Sequence, residues 1–262
     1  MPFADLDSVR LFYTDEGSGD RPLLFVHGYT CDSHDWSWQL AHFAQTHRVI
    51  AVDLRGHGRS SAPDTGYAPQ DLAADVASLI QGLAGVDRVV ALGHSLGGVV
   101  VSALAVEHPE LVEGLVAVDP GYLIPDELAA TFVDPLLEGL RAPDPVPAAQ
   151  GLLGALNGPS QPAALVTWQQ RRVAGVPAHV LRQVMEALLP GLAAEANSVP
   201  YLERRTCPVL SFYTEPARAA RDLGLCSDKR SRTVVWEGSG HWLHQERWQD
   251  FNSLVESWLA TL

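Results

Sequence analysis

RVVALGHSLGGVV, residues 88–100, reads as three structural instructions in succession. Arg88 opens a short β-branched apolar run, Val89-Val90-Ala91-Leu92, of the kind that forms a strand buried on both faces. Gly93-His94-Ser95-Leu96-Gly97 then fits G-x-S-x-G, and Gly98-Val99-Val100 starts an apolar helix. A serine at such a strand-to-helix turn sits on strained backbone, and the flanking glycines let neighbouring backbone approach closely. Its hydroxyl is presented above the sheet edge. The helix that begins behind it supplies free N–H groups and a positive dipole end where an oxyanion would form. Ser95 is therefore the candidate nucleophile, and the Leu96 N–H is the first candidate oxyanion donor. An incidental serine in a glycine-rich turn is the competing reading of the bare pentapeptide; the strand on one side and the helix on the other weigh against it.

Working outward, similar apolar runs occur at 22–27, 48–53 and 114–119, each closed by Gly, Asp or Pro. Between runs lie Ala-rich segments with helical spacing, such as 69–84 and 97–108, so strand and helix alternate as in a doubly wound, mostly parallel α/β sheet. Residues 8–16 alternate like an antiparallel edge strand. The alternation stops after Asp119. Residues 121–203 carry repeated helix signals but no convincing strand, with the Pro-rich stretch 141–150 expected to be a loop between helices. Strand character returns at 207–213 and 231–236, before an amphipathic helix over 245–261. The expected organisation is a core of 1–120 and 204–262, interrupted by a helical cap at 121–203.

Three further motifs accompany the serine elbow: His27-Gly28-Tyr29-Thr30 after the first buried run, Asp53-Leu54-Arg55-Gly56-His57-Gly58-Arg59-Ser60 after the next, and Gly238-Ser239-Gly240-His241 near the end. Together they resemble the α/β-hydrolase family. The resemblance implies an α/β-hydrolase fold with the helical cap inserted after the strand that follows the nucleophile. It also assigns the second oxyanion N–H to Tyr29 and the general base to His241. A hydroxyl is a poor nucleophile at neutral pH, so an imidazole must take its proton and later return it to the leaving group. Among the ten histidines, His241 alone lies in the matching loop; His244 is expected to pack or cap, His94 to be held by the elbow, and His27 to form structural hydrogen bonds. The rest form no ligand-like group, so no metal site is expected.

The acid departs from the family's common pattern. Family members commonly place it after the strand preceding the histidine, in apolar strand then Gly-x-x-Asp; here Thr214 replaces the Gly and Ala217 stands where the Asp would be. Asp119, at the end of the run after the nucleophile strand and helix, is the best substitute, with Glu215 and then Asp222 behind it. A subset of the family that includes haloalkane dehalogenases and zearalenone lactone hydrolases is similar in this placement. Dehalogenases and epoxide hydrolases use an Asp nucleophile, and Ser95 argues against both chemistries.

A formal net charge of −13 argues against a nucleic-acid partner, and 47% hydrophobic residues over 262 positions suffice for a large core. Cys31, Cys207 and Cys226 have no paired spacing, so neither a disulfide framework nor a zinc site is read from them. The opening residues lack a leader pattern and no run spans a bilayer, so the expectation is a cytoplasmic protein, monomer or homodimer, without membrane contact. No cofactor is implied, because Walker A and G-x-G-x-x-G patterns are absent. The expected activity is cleavage of a small, largely apolar ester or lactone through an acyl-enzyme. Carbon–carbon bond hydrolysis, cofactor-free oxygenation, or a slow-turnover ligand receptor on the same fold are the alternatives. Tyr122, Leu123, Phe132, Trp168, Met185 and Trp242 are the candidate substrate contacts, although an aromatic or Met on a helix is more often an ordinary core residue.

Overall fold

A computed structural model describes residues 2–159 and 161–262. Eight strands form one sheet: β1 (Phe3–Asp5), β2 (Arg10–Glu16), β3 (Leu23–Val26), β4 (Val49–Val52), β5 (Val89–His94), β6 (Val112–Val118), β7 (Val209–Tyr213) and β8 (Arg232–Val235). Their spatial order is β1-β2-β4-β3-β5-β6-β7-β8; β2 runs antiparallel to both its neighbours, β1 and β4, and the other pairs are parallel. This is the mostly parallel sheet that the family resemblance implies. The expected edge strand, however, is not the edge. β1 pairs outside it, Phe3 opposite Phe12, and three residues are too short for any periodicity to announce them.

The central strands read as continuous apolar runs because helices cover both faces. Leu24, Val26 and Ala91 point to the layer of α2 (Pro69–Gly82) and α3 (Leu96–Glu107). Leu23, Phe25 and Leu92 point to the opposite layer, where α1 (Ser37–Phe43) and α11 (Trp248–Leu259) contribute Phe43, Phe251 and Trp258. Alternate residues of each strand thus feed two cores, which holds the parallel strands in register and fixes their carboxyl ends along one edge.

Between β6 and β7 the chain forms α4 (Asp126–Arg141), α5 (Val146–Ala155), α6 (Ala163–Val173), α7 (Ala178–Leu188), a π-helical turn (Leu189–Ala193) and α8 (Glu195–Leu202). The loop expected over 141–150 is shorter: α4 runs to Arg141 and α5 begins at Val146, since Pro145 and Pro147 fall at the start of a helix, where a missing N–H costs nothing. α7 buries Val180, Leu181, Val184, Met185 and Leu188, one stripe of an amphipathic helix. After β7 come α9 (Pro216–Gly224) and, past β8, the short α10 (Leu243–Glu246). Among the described residues no helix is long and apolar enough to cross a membrane.

Candidate active site

Ser95 links β5 directly to α3 with φ 54° and ψ −117°. Gly93 and Gly97 make that turn possible: a Cβ at Gly93 would lie 2.2 Å from the Gly97 carbonyl oxygen, and one at Gly97 would lie 2.2 Å from that of Val26. The turn is pinned by the Ser95 N–H, which donates to Val118 O at 2.9 Å. From Val89 to Val106 every residue is buried except Ser95. Four non-glycine residues have positive φ among those described: Thr30, Ser95, Asp119 and Leu123. All four follow the carboxyl ends of β3, β5 and β6, so backbone strain of about 1–3 kcal/mol per residue is concentrated at one place on the sheet edge.

The loop after β3 lies against this elbow; a Cβ at Gly28 would meet Ser95 Cβ at 3.1 Å and His94 Nδ1 at 2.9 Å. His27 braces the loop. Its Nδ1–H donates to Gly28 O at 2.7 Å while its Nε2 accepts the Leu54 N–H at 2.9 Å, which fixes the tautomer. Asp53, held by Arg59, accepts the Ser33 N–H at 2.8 Å on the same loop. Tyr29 donates its hydroxyl to Leu181 O on α7 at 2.7 Å, and among the described residues its backbone N–H has no acceptor. Leu96, the first residue of α3, carries one of the N–H groups that a helix leaves unused at its start. The Leu96 N–H thus adjoins Ser95 in the chain, and the loop that carries the Tyr29 N–H lies against it through Gly28.

His241 and Asp119 meet on the other side. The imidazole Nδ1 lies 2.7 Å from Asp119 Oδ2, both side chains being less than a tenth exposed. The His241 N–H donates to Leu156 O at 3.1 Å, and the ring of His94 hydrogen-bonds the His241 carbonyl through Nε2 at 3.0 Å, so the loop that carries His241 is held from both sides. Burial drives the His94 pKa well below its usual value, which keeps that ring neutral. Burial pushes the Asp119 carboxyl upward, but the His241 hydrogen bond and the Arg218 charge outweigh it and hold the group below the usual carboxylate value. Arg218, on α9, donates to Asp119 Oδ1 at 3.1 Å. Glu215 is exposed, and Asp222 is engaged elsewhere by Arg205 at 2.6 Å.

Ser95, Asp119, Arg218 and His241 line a single cavity of about 150 Å³ whose remaining wall is almost wholly apolar. Phe132 and Met185 of the expected substrate contacts belong to this wall. Four others do not. Tyr122 is fully buried with its hydroxyl accepting from Arg205 at 3.1 Å; Leu123 is fully buried; Trp168 is 53% exposed on α6; and Trp242 packs its ring against His94 and His241. Leu136, Leu152, Leu156 and Leu188 line the wall instead. Repeated helix signals over 121–203 do not tell which apolar residue faces a neighbour and which faces a void. Arg218 was missed as well, although a lone basic residue one position past the vacant acid position was the available signal.

Among the described residues Asp35, His94 and His244 bring three buried ligand-type atoms within 4.8 Å of one another. The Arg172 guanidinium already pairs with Asp35, so the cluster has a cation in place and its donor set does not suit a second. His244 instead stacks on Trp36, ring centroids 4.3 Å apart.

Comparison with known proteins agrees with the fold. A family profile described as Alpha/beta hydrolase family matches residues 23–254. A bifunctional esterase/perhydrolase of Acinetobacter calcoaceticus is 33% identical over 192 residues, 66% of this chain and 68% of that protein. Epoxide hydrolase 1 of Caenorhabditis elegans is 38% identical over 117 residues, 44% of this chain and 29% of that protein. The matches to the first curated relatives thus span less than half of either partner's length. Among solved structures, Est816, an N-acyl homoserine lactone degrading enzyme, is 26% identical, with a TM-score of 0.83 over 98% of this chain and 99% of that one.

Proposed function

This chain belongs to the α/β-hydrolase family, and from that premise we propose that it cleaves a carboxylic ester or lactone of a small, largely apolar substrate through an acyl-enzyme on Ser95. The observation that carries this reading is the 2.7 Å contact between His241 Nδ1 and Asp119 Oδ2 in a cavity that Ser95 also lines. With Nδ1 engaged, Nε2 is the ring nitrogen left to accept the Ser95 proton. Ser95 Oγ attacks the carbonyl carbon, and the tetrahedral oxyanion takes hydrogen bonds from the Tyr29 and Leu96 N–H groups. Collapse expels the alkoxide, which leaves as an alcohol with the proton from His241; for a lactone it stays tethered to the acyl group. Water activated by His241 then attacks the ester and frees Ser95. Asp119 stays ionised throughout and stabilises the imidazolium.

The wall composition supports the substrate class. A mostly apolar cavity of about 150 Å³ accommodates an apolar group the size of a benzene ring. A charged acyl group would lose its hydration against Phe132, Leu152 and Met185, and the lining cation, Arg218, is already engaged by Asp119 and two carbonyls, so short aliphatic or aromatic acyl groups suit it. We propose further that 121–203 act as a lid over a core of 1–120 and 204–262, with small-molecule substrate admitted as α4 and α5 shift. A panel of esters and lactones of graded acyl length tests the proposal. Multiple turnover by wild type, with a drop beyond about six acyl carbons and loss in Ser95→Ala, is the expected result; full activity in Ser95→Ala would overturn it.

A further inference from the structure

The turn where the acid commonly stands in this family is not idle here. Ala217 occupies that position, and the next residue, Arg218, turns back across the sheet edge from the first turn of α9. Its NH1 donates to Asp119 Oδ1 at 3.1 Å, and its NH2 donates to the carbonyls of Pro120 and, at 3.1 Å, Tyr122. These three acceptors span the chain just past β6, including Asp119 itself at φ 38°. The side chain is only 12% exposed and lies over the Tyr213 ring, 5.1 Å from its centroid. The two carboxylate oxygens of Asp119 are thus divided, Oδ1 to Arg218 and Oδ2 to His241.

We propose that Arg218 is a positioning residue for the reaction on Ser95: it holds Asp119 in its strained turn with Oδ2 aimed at His241, and the end of β7 supplies the acid's counter-charge in place of the acid. This rests on the proposed serine-hydrolase reading. A bare carboxylate at φ 38° has backbone strain to relieve by turning away, and a guanidinium that binds the carboxylate and the Pro120 and Tyr122 carbonyls as a unit opposes that relaxation. The arrangement has an electrostatic consequence too. A fixed cation beside Asp119 offsets part of the negative charge that would otherwise favour the imidazolium. The groups that face this pair are Tyr122 after β6, Tyr213 on β7, Glu215 before α9, and His94 and His244 on the far side of His241. Of these, Glu215 alone is an acid, and it is exposed.

The test compares Arg218→Lys, Arg218→Gln and Arg218→Met with wild type and Ser95→Ala, reading kcat and KM on one ester across pH together with the thermal midpoint. For Arg218→Met, kcat is expected to fall about 10–100-fold, the scale of losing an outer partner of a site residue, with KM within about twofold. In Arg218→Gln and Arg218→Met the acid limb of kcat/KM moves about one unit to higher pH, because the cation is gone; in Arg218→Lys it stays in place while kcat is partly recovered. Should Arg218→Met fail to fold, the Lys and Gln pair carries the comparison alone. An unmoved acid limb in Arg218→Gln, or a rise in KM with kcat intact, would overturn the proposal, the latter showing a substrate contact. Activity in Ser95→Ala would instead refute the underlying reading, so the two failures are distinguishable.

Discussion

The ends of β6 and β7 lie side by side on the sheet edge, yet they offer their side chains to opposite surroundings. At the β6 end Asp119 takes φ 38°, is 5% exposed and faces an imidazole. At the β7 end Glu215 has ordinary extended backbone, φ −113° and ψ 119°, and opens into solvent before α9 begins at Pro216. A carboxylate needs burial and a fixed partner before it can hold an imidazole in one tautomer. The two ends teach that strain and burial, rather than chain position within a family, mark which carboxylate meets the His241 imidazole.

The largest way to break this contrast is Asp119→Asn. Loss of the carboxylate favours the wrong tautomer, and kcat is expected to fall about 10⁴-fold, with a lower thermal midpoint because the buried Arg218 loses its counter-charge. Steady-state kinetics on the preferred ester check it.

The β7 end is held by a different device. Arg205 and Asp222 form a pair that is almost wholly buried, side chains 1% and 0% exposed, tying the chain after α8 to α9. Removing one partner strands the other, so Arg205→Met is expected to cost about 3–5 kcal/mol in urea unfolding, and with it the anchorage of Arg218. Unchanged stability would mean that α9 is positioned by packing alone.

Burial also gives the sheet edge a pH signature. His57 and His244 are pushed down to about 3 by burial, and His94 is likewise depressed. Below a pH of about 6.5 the unfolded chain binds protons that the folded chain refuses, so stability is intact above that value and falls as pH drops toward 3. Each such group contributes a slope of up to about 1.4 kcal/mol per pH unit, and His244→Phe, which keeps the stack on Trp36, is expected to reduce the slope by that amount. Urea midpoints from pH 7 to pH 4 read it. Asp119 adds to the same trend only at lower pH, since its depressed folded value means that its contribution is lost as pH falls below the ordinary carboxylate range.

The smallest expected effect sharpens the contrast from the other side. Glu215→Gln, at an exposed position with no reach to His241, should leave kcat within about twofold and stability within about 0.5 kcal/mol.

The division between what the sequence discloses and what it hides follows the same physics. The sheet was legible because each central strand is buried on both faces, and its apolar run ends in a turn whose glycines cannot be replaced without collision, as at Gly93 and Gly97. The Asp119 reading came from the empty position at Ala217, an absence that sequence can register. β1 was too short to show a period, and Pro145 and Pro147 mark a helix start that composition alone reads as loop. The cavity wall was the least legible part: Phe132 and Met185 face the void while Tyr122, Leu123 and Trp242 face packed neighbours, and one-dimensional apolarity is the same for both. Arg218 escaped because its partners, Asp119 and the carbonyls of Pro120 and Tyr122, lie 96 to 99 residues away in the chain.

The central claim is a covalent intermediate on Ser95. Rapid-quench intact-mass measurement of wild type and Asp119→Asn with a short-chain ester tests it most directly, followed by peptide mapping of any adduct. The expected result is a mass gain equal to the acyl group, located on Ser95 and absent from Ser95→Ala. An adduct on a carboxylate such as Asp119, or turnover of the ester by Ser95→Ala at the wild-type rate, would contradict it.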